Sequence, residues 1–129
     1  MSRIQTVFGR CQAAGRKALI AYSTVGAPDM ATSEAVIAAM IESGADIIEL
    51  GVPFSDPTAD GTVIQEAAQM ALKHDTTLCD VLALAGRLRS RFPDVGLVIF
   101  SYYNVIFHLG GAEFARRAGE AGVDGVLVV

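Results

Sequence analysis

The sequence is short of several things at once: in 129 residues it has no tryptophan, two cysteines, four prolines and three tyrosines, and aromatic residues make up 7%. Cys11 and Cys79 are far apart in helix-like stretches of an acidic chain, so they read as reduced packing residues and not as a disulfide framework. His74 and His108 are isolated, which removes zinc-ligand spacing, and both read as ordinary polar surface or packing residues. No loop alternates oxygen ligands toward a terminal Glu, which removes calcium. No metal site is expected. Basic residues are also scarce: Lys+Arg number 10 against 14 Asp+Glu, a formal charge of -4, so there is no footprint for nucleic acid. Long apolar runs are missing too. GLVIF and GVLVV, about five residues each, are far below the roughly 20 that span a bilayer. The opening MSRIQTVFGRCQ carries neither a continuous apolar stretch nor a small-residue cleavage site, so no signal peptide and a cytoplasmic location are expected.

Apolar bulk is what the chain does have: 52% of its residues are hydrophobic and its mean hydropathy is +0.43. That excludes intrinsic disorder. It fits a single domain over residues 1–129. It also exceeds what a domain of this length usually hides, so a dense core or a covering partner is expected.

Along the chain two periodicities alternate. After a leading helix, ALIAYS (Ala18 to Ser23) reads as a strand and Gly26 to Asp29 as a turn. A helix is predicted from about Ser33 to Ser43, with Val36, Ile37, Met40 and Ile41 at helical spacing and Gly44 closing it. DIIELGV (Asp46 to Val52) is strand-like, and a Pro/Asp/Gly-rich loop follows from Pro53 to Gly61. Thr62 with Gln65 reads as a capping box opening a helix to about Lys73, and Thr77 with Asp80 as the start of another that runs to Pro93. VGLVIFSY (Val95 to Tyr102) is a third strand. Gly110-Gly111 precede a short helix to about Glu120, and VDGVLVV (Val123 to Val129) is a fourth strand. Nearly continuous apolar strands alternating with helices imply an α/β chain with a parallel sheet covered on its faces.

Two architectures compete. A doubly wound sheet would carry a Gly-rich phosphate fingerprint after its first strand, and Tyr22-Ser23-Thr24-Val25-Gly26 has none. A (β/α)8 barrel has about 250 residues, of which four strands make half, and its chemistry sits after strand C-termini. Glu49, Asp56, Asp60, Tyr102 and Asn104 cluster there, so the (β/α)8 TIM-barrel family is favoured, with only the first four strands present: a half-barrel.

Glu49 interrupts an apolar strand. If Ile48 and Leu50 meet the covering helices, alternation points Glu49 into the barrel, where a carboxyl suits general acid–base work. The alternative is a strand-end Glu paired with a Lys or Arg for structural reasons. For Asp56 or Asp60 taken singly, turn chemistry on the loop backbone is the favoured reading. Gly110-Gly111 could form an anion-binding nest, though such a pair is more often a turn. Tyr102-Tyr103-Asn104 could orient a polar aromatic substrate or simply cap the rim.

Taken together, ELGVPFSDPTADGTVIQEA (Glu49 to Ala67) resembles the signature of the tryptophan synthase alpha family. SYYNVIFHLGGAEFARRAGEAGVDGVLVV (Ser101 to Val129) and the opening Ala18-Leu19-Ile20-Ala21-Tyr22 with its Gly26 turn are similar to the same family, in its order and spacing. The resemblance implies a lyase of tryptophan biosynthesis that cleaves indole-3-glycerol phosphate to indole and glyceraldehyde 3-phosphate. On it, Glu49 would handle the protons at indole C3 and at the side-chain hydroxyl. Asp60 would accept from the indole N–H and stabilise the positive charge that develops on the ring. Tyr22, Phe100, Tyr102, Leu127 and Val129 would line the indole pocket. Pro53 and Asp56, with the Asn104 to Phe107 segment, would meet the beta subunit. No metal or organic cofactor belongs to the alpha reaction, and pyridoxal phosphate belongs to the beta subunit.

Two departures stand out. The family usually has proline where this chain has Thr62. Its members also form a whole barrel, whose second half carries the phosphate-binding loops. The expectation is a truncated form with little activity alone. The alternatives are a non-catalytic, self-associating half-barrel and another phosphosugar barrel enzyme, against which the PFSDPTADG loop speaks.

Overall fold

Parity decides the architecture. The computed structural model describes residues 2–129 and contains four strands, β1 (Ile20–Thr24), β2 (Ile47–Gly51), β3 (Gly96–Ser101) and β4 (Gly125–Val128). They pair in parallel in the order β1-β2-β3-β4. Six helices accompany them: α1 (Arg3–Ala13), α2 (Met30–Glu42), α3 (Thr62–Leu72), α4 (Leu78–Arg91), α5 (Tyr103–Leu109) and α6 (Gly111–Glu120). Ile48, Leu50, Leu97 and Ile99 are fully buried on one face of the sheet. There they pack with Ile37 of α2, Val81, Leu84, Ala85 and Leu88 of α4, and Phe114 of α6. Alternate residues of the same strands face the other way.

On that second face the registers stack three rows. Ile20, Ile47 and Gly96 lie at the strand starts, Tyr22, Glu49, Val98 and Gly125 in the middle, and Thr24, Gly51, Phe100 and Leu127 at the strand ends. Such rows are the layers that fill a barrel. Helix α1 closes the lower end, where Val7 and Cys11 bury against Ile47, with Ile4, Ala18 and Val98 around them. The base is therefore apolar and plugged, and the rows that carry Tyr22, Glu49, Thr24 and Phe100 stand above it.

One device repeats at two strand starts. Gly44 (φ 110°) and Gly122 (φ 71°) end α2 and α6 in a backbone region that side chains disfavour. Two residues later Asp46 and Asp124 each accept an N–H from a strand neighbour 27 residues away, Leu19 and Leu97, both at 2.9 Å. Their own amides return to the same two residues' carbonyls at 2.9 and 2.8 Å. Each carboxylate is buried and paired, Asp46 with Arg16 through two 2.7 Å bonds and Asp124 with Arg89 at 2.7 Å and with Arg3. A one-residue slip would break all of these bonds at once, so they fix strand register.

The structure corrects several local readings. Helix α2 begins at Met30, because Asp29 is its N-cap and accepts from Thr32 N at 2.8 Å; the start near Ser33 was three residues late. Thr62 and Gln65 form no capping box. Gly61 is the N-cap of α3 without a side-chain bond, and Gln65 Nε2 instead donates to the Asp60 carbonyl at 2.8 Å. The Thr77–Asp80 box is present, and α1 carries another, Ser2 with Gln5. Helix α5 is an addition to the expected elements. Cys11 is a packing residue, but Cys79 is exposed, with Arg117 Nη1 donating to its sulfur at 3.2 Å.

Candidate active site

The middle row puts Glu49 between Tyr22 and Val98, on the face away from the helices that bury Ile48 and Leu50. Glu49 has no ion-pair partner among the described residues. A Glu held by a basic residue for structural reasons is therefore not what the strand carries. The residue is half-buried in the middle layer of the sheet, above the plug built by α1.

Its surroundings are aromatic. Tyr22 and Phe100 meet edge to face, ring centroids 5.4 Å apart, across β2. They can meet because Gly51, which lies between their strands, has no side chain: a Cβ there would fall inside the Tyr22 phenol. The Tyr22 hydroxyl lies 3.2 Å from Thr24 Oγ1. Burial pushes this phenol above its usual range, and the negative charges of Asp60 and Glu49 add to the effect. Both carboxylates thus bear on one hydroxyl. Leu127 pairs with Phe100, and the extended backbone carries Val129 on the Leu127 side, tied to Ser101 by Val129 N to Ser101 O at 3.0 Å.

Asp60 arrives from the loop after β2. Its carboxylate accepts from the Tyr102 hydroxyl at 3.1 Å, and the same hydroxyl accepts from Ala59 N at 2.9 Å. The Tyr102 ring is buried against Phe54, centroids 5.0 Å apart. Burial pushes the Tyr102 phenol upward against the opposing bond from Ala59 N, and its bond to Asp60 and the Asp60 charge add to the rise. Turn chemistry would tie the Asp60 and Asp56 carboxylates to loop amides. Here Asp60 is bonded by a tyrosine and Asp56 by Ser55 Oγ at 2.6 Å, while backbone carbonyls take the loop N–H groups of Thr58 and Asp60.

The structure thus gathers Glu49, Asp60, Tyr22, Phe100, Tyr102, Leu127 and Val129 on the inner, upper side of the sheet. Tyr102 reaches further than a pocket wall, since its hydroxyl is engaged by the loop, and sequence spacing carries no signal for a bond between residues this far apart. Asp56, Asn104 and Phe107 lie outside this cluster on the exposed rim, Phe107 70% exposed and 5.8 Å from the Tyr103 ring. Pro53 is buried, in a hollow shared with Leu78, Val105 and His108. Gly110, with φ 96°, is the turn between α5 and α6, and its amide bonds the carbonyls of Ile106 and Phe107. Among the described residues no group of three or more His, Cys, Asp or Glu side chains could hold a metal ion, and no helix is long and apolar enough to cross a membrane.

Comparison with known proteins gives one answer. The family model described as tryptophan synthase alpha chain matches residues 8–129. The tryptophan synthase alpha chain of Desulfosudis oleivorans is 52% identical over all 129 residues, which cover 48% of that protein. That of Neisseria meningitidis serogroup B is 50% identical, with 49% of its length covered. Among solved structures, tryptophan synthase subunit alpha from Legionella pneumophila superposes with a TM-score of 0.97 at 37% identity, matching 100% of this chain and 49% of that one. A Mycobacterium tuberculosis tryptophan synthase, in its aminoacrylate-bound form, gives 0.94 at 38% identity, matching 99% of this chain and 51% of that one. The chain spans about half the length of the curated relatives it matches. With four parallel strands in barrel layers, and a family match over nearly all its residues, this chain belongs to the tryptophan synthase alpha family.

Proposed function

We propose that these residues form the catalytic half of a lyase that cleaves indole-3-glycerol phosphate to indole and glyceraldehyde 3-phosphate. The observation that carries the reading is the unpaired Glu49 beside the Tyr22–Phe100 pair, with the Asp60 carboxylate held at the upper end of the same site. Glu49 delivers the proton to indole C3 and takes that of the side-chain hydroxyl as the carbon–carbon bond breaks. C3 protonation leaves positive charge on the ring, and Asp60 near the nitrogen stabilises it as it forms. Tyr22, Phe100, Tyr102, Leu127 and Val129 supply walls for a flat aromatic ligand. Each step is a proton transfer or a charge stabilisation by this chain's own groups, so the reading calls for no metal or organic cofactor. Pyridoxal phosphate belongs to the beta partner. Asp56, Asn104 and Phe107, with Pro53 beneath them, form the face that meets that partner and passes indole on.

The phosphate grip lies outside these residues, and losing remote binding free energy lowers the rate at the reacting centre. The 129-residue chain alone is therefore expected to release negligible indole. Joined to the remaining length of the Neisseria relative, it should turn over, with Glu49→Gln lowering kcat by about 100-fold or more. A joined chain whose turnover survives Glu49→Gln would refute the reading.

A second reading is favoured by surface composition. Leu19, Ile20, Val126, Leu127, Val128 and Val129, in or next to β1 and β4, are 40–56% exposed. Two parallel edges with this much apolar surface should drive self-association of the 129-residue chain. Sedimentation at low concentration tests it, and a stable monomer would count against it.

A further inference from the structure

We propose that Tyr102 is the positioning residue of the site: its hydroxyl fixes Asp60 so that one carboxylate oxygen is occupied and the other is left for a ligand N–H. This rests on the reading of Asp60 given above.

A hydroxyl has one proton and two lone pairs. Because the Tyr102 oxygen already accepts from Ala59 N at 2.9 Å, its single proton is free to point at Asp60 Oδ2, 3.1 Å away. The two bonds hold both the backbone before Asp60 and the Asp60 carboxylate from a single atom. That atom is itself rigidly mounted. Tyr102 is 9% exposed, its ring lies on Phe54, and its carbonyl accepts from Ser101 Oγ at 3.0 Å. On either side of it, Val129 N donates to Ser101 O at 3.0 Å and Tyr103 N to Val129 O at 3.1 Å. The loop, in contrast, has little structure of its own: Ser55, Asp56, Thr58 and Ala59 are exposed, and its internal backbone bonds are Thr58 N to Asp56 O and Asp60 N to Pro57 O. Gln65 Nε2 holds the Asp60 carbonyl at 2.8 Å, but the Asp60 carboxylate takes its rigidity from the ends of β3 and β4 through one phenol. A single neutral donor also leaves the carboxylate unsatisfied on its Oδ1 side, where a ring N–H can bind in a charge-assisted bond.

Tyr102→Phe keeps the ring on Phe54 and removes only the hydroxyl. In the 129-residue chain, amide exchange at Ala59 should become about five-fold faster, the net worth of one hydrogen bond. Unchanged exchange would overturn the proposal. A second variant guards against a misfolded first one. In Asp60→Asn the Tyr102 phenol, followed by its ring-carbon NMR signal, should titrate at lower pH than in the parent, because a neighbouring negative charge is gone. A role in packing alone would not move it, and an unmoved titration also overturns the proposal. Catalysis is read separately, as indole release by the chain joined to a relative's second half. If Asp60→Asn leaves that release intact while exchange and titration shift as stated, the catalytic reading falls and the positioning role stands.

Discussion

The phenol of Tyr22 occupies the space that a side chain at Gly51 would fill: a Cβ built there would lie 2.5 Å from its Cζ. Gly51 ends β2 and pairs with Phe100, so its missing side chain lets the two aromatic rings meet beside Glu49.

Gly51→Ala should therefore displace Tyr22 and cost about 1–3 kcal/mol, the usual range for overpacking. Urea unfolding measures the loss. Adding Tyr22→Leu to Gly51→Ala should recover part of it, because the shorter side chain vacates the clash. Strict additivity of the two substitutions would show that they do not share this space.

Acid should act on the repeated Asp device. Arg16's hydrogen bonds hold the Asp46 carboxyl well below the usual carboxylate range, with Leu19 N–H adding to them against the opposing effect of burial. A carboxylate depressed in the folded state contributes stability that is complete above its unfolded value, about pH 4, and lost as pH falls toward the folded one. Asp46→Asn should cost about 2–3 kcal/mol at pH 7. Denaturation midpoints between pH 5 and pH 2 should fall more steeply in the parent than in Asp46→Asn. Parallel curves would mean that Asp46 does not carry the effect.

Thiol accessibility separates the two cysteines. Cys79 is exposed beside Arg117 and should react at once with an aromatic disulfide reagent, whereas Cys11, 2% exposed on the buried face of α1, should react only on unfolding. Two thiols reacting together in the native chain would contradict the packing of α1.

The sheet was legible in the sequence because apolar runs and strand parity are local signals. Ile48 and Leu50 betray their face, and with it the face of Glu49. The Asp60–Gly61 neighbourhood was legible only as a motif, since the loop is also held by a phenol from the residue that follows β3. Helix α5 escaped notice because seven residues rich in aromatics carry no usable helical period. The Thr62–Gln65 pattern misled for a related reason: a capping box needs an extended N-cap, and Gly61 takes that role. The exposure of Cys79 was hidden because apolar spacing marks the buried stripe of α4 without marking its edge.

Thr62 offers a direct test of how α3 begins. It is the first helical residue after Gly61, a position where the N–H has no intrahelical acceptor and where φ suits proline. The first backbone bond of the turn is Gln65 N to Gly61 O at 3.0 Å, which proline at Thr62 leaves intact. Thr62 is also exposed, and α3 has no side-chain cap to lose. Thr62→Pro should therefore stabilise the chain by about 0.5–1 kcal/mol through the unfolded state, raising Tm by about 2–4 °C. The Asp60 carbonyl should keep its bond from Gln65 Nε2, so the Tyr102 phenol should titrate as it does in the parent. A lower Tm would mean that Thr62 makes a contribution to the start of α3 that this geometry does not contain.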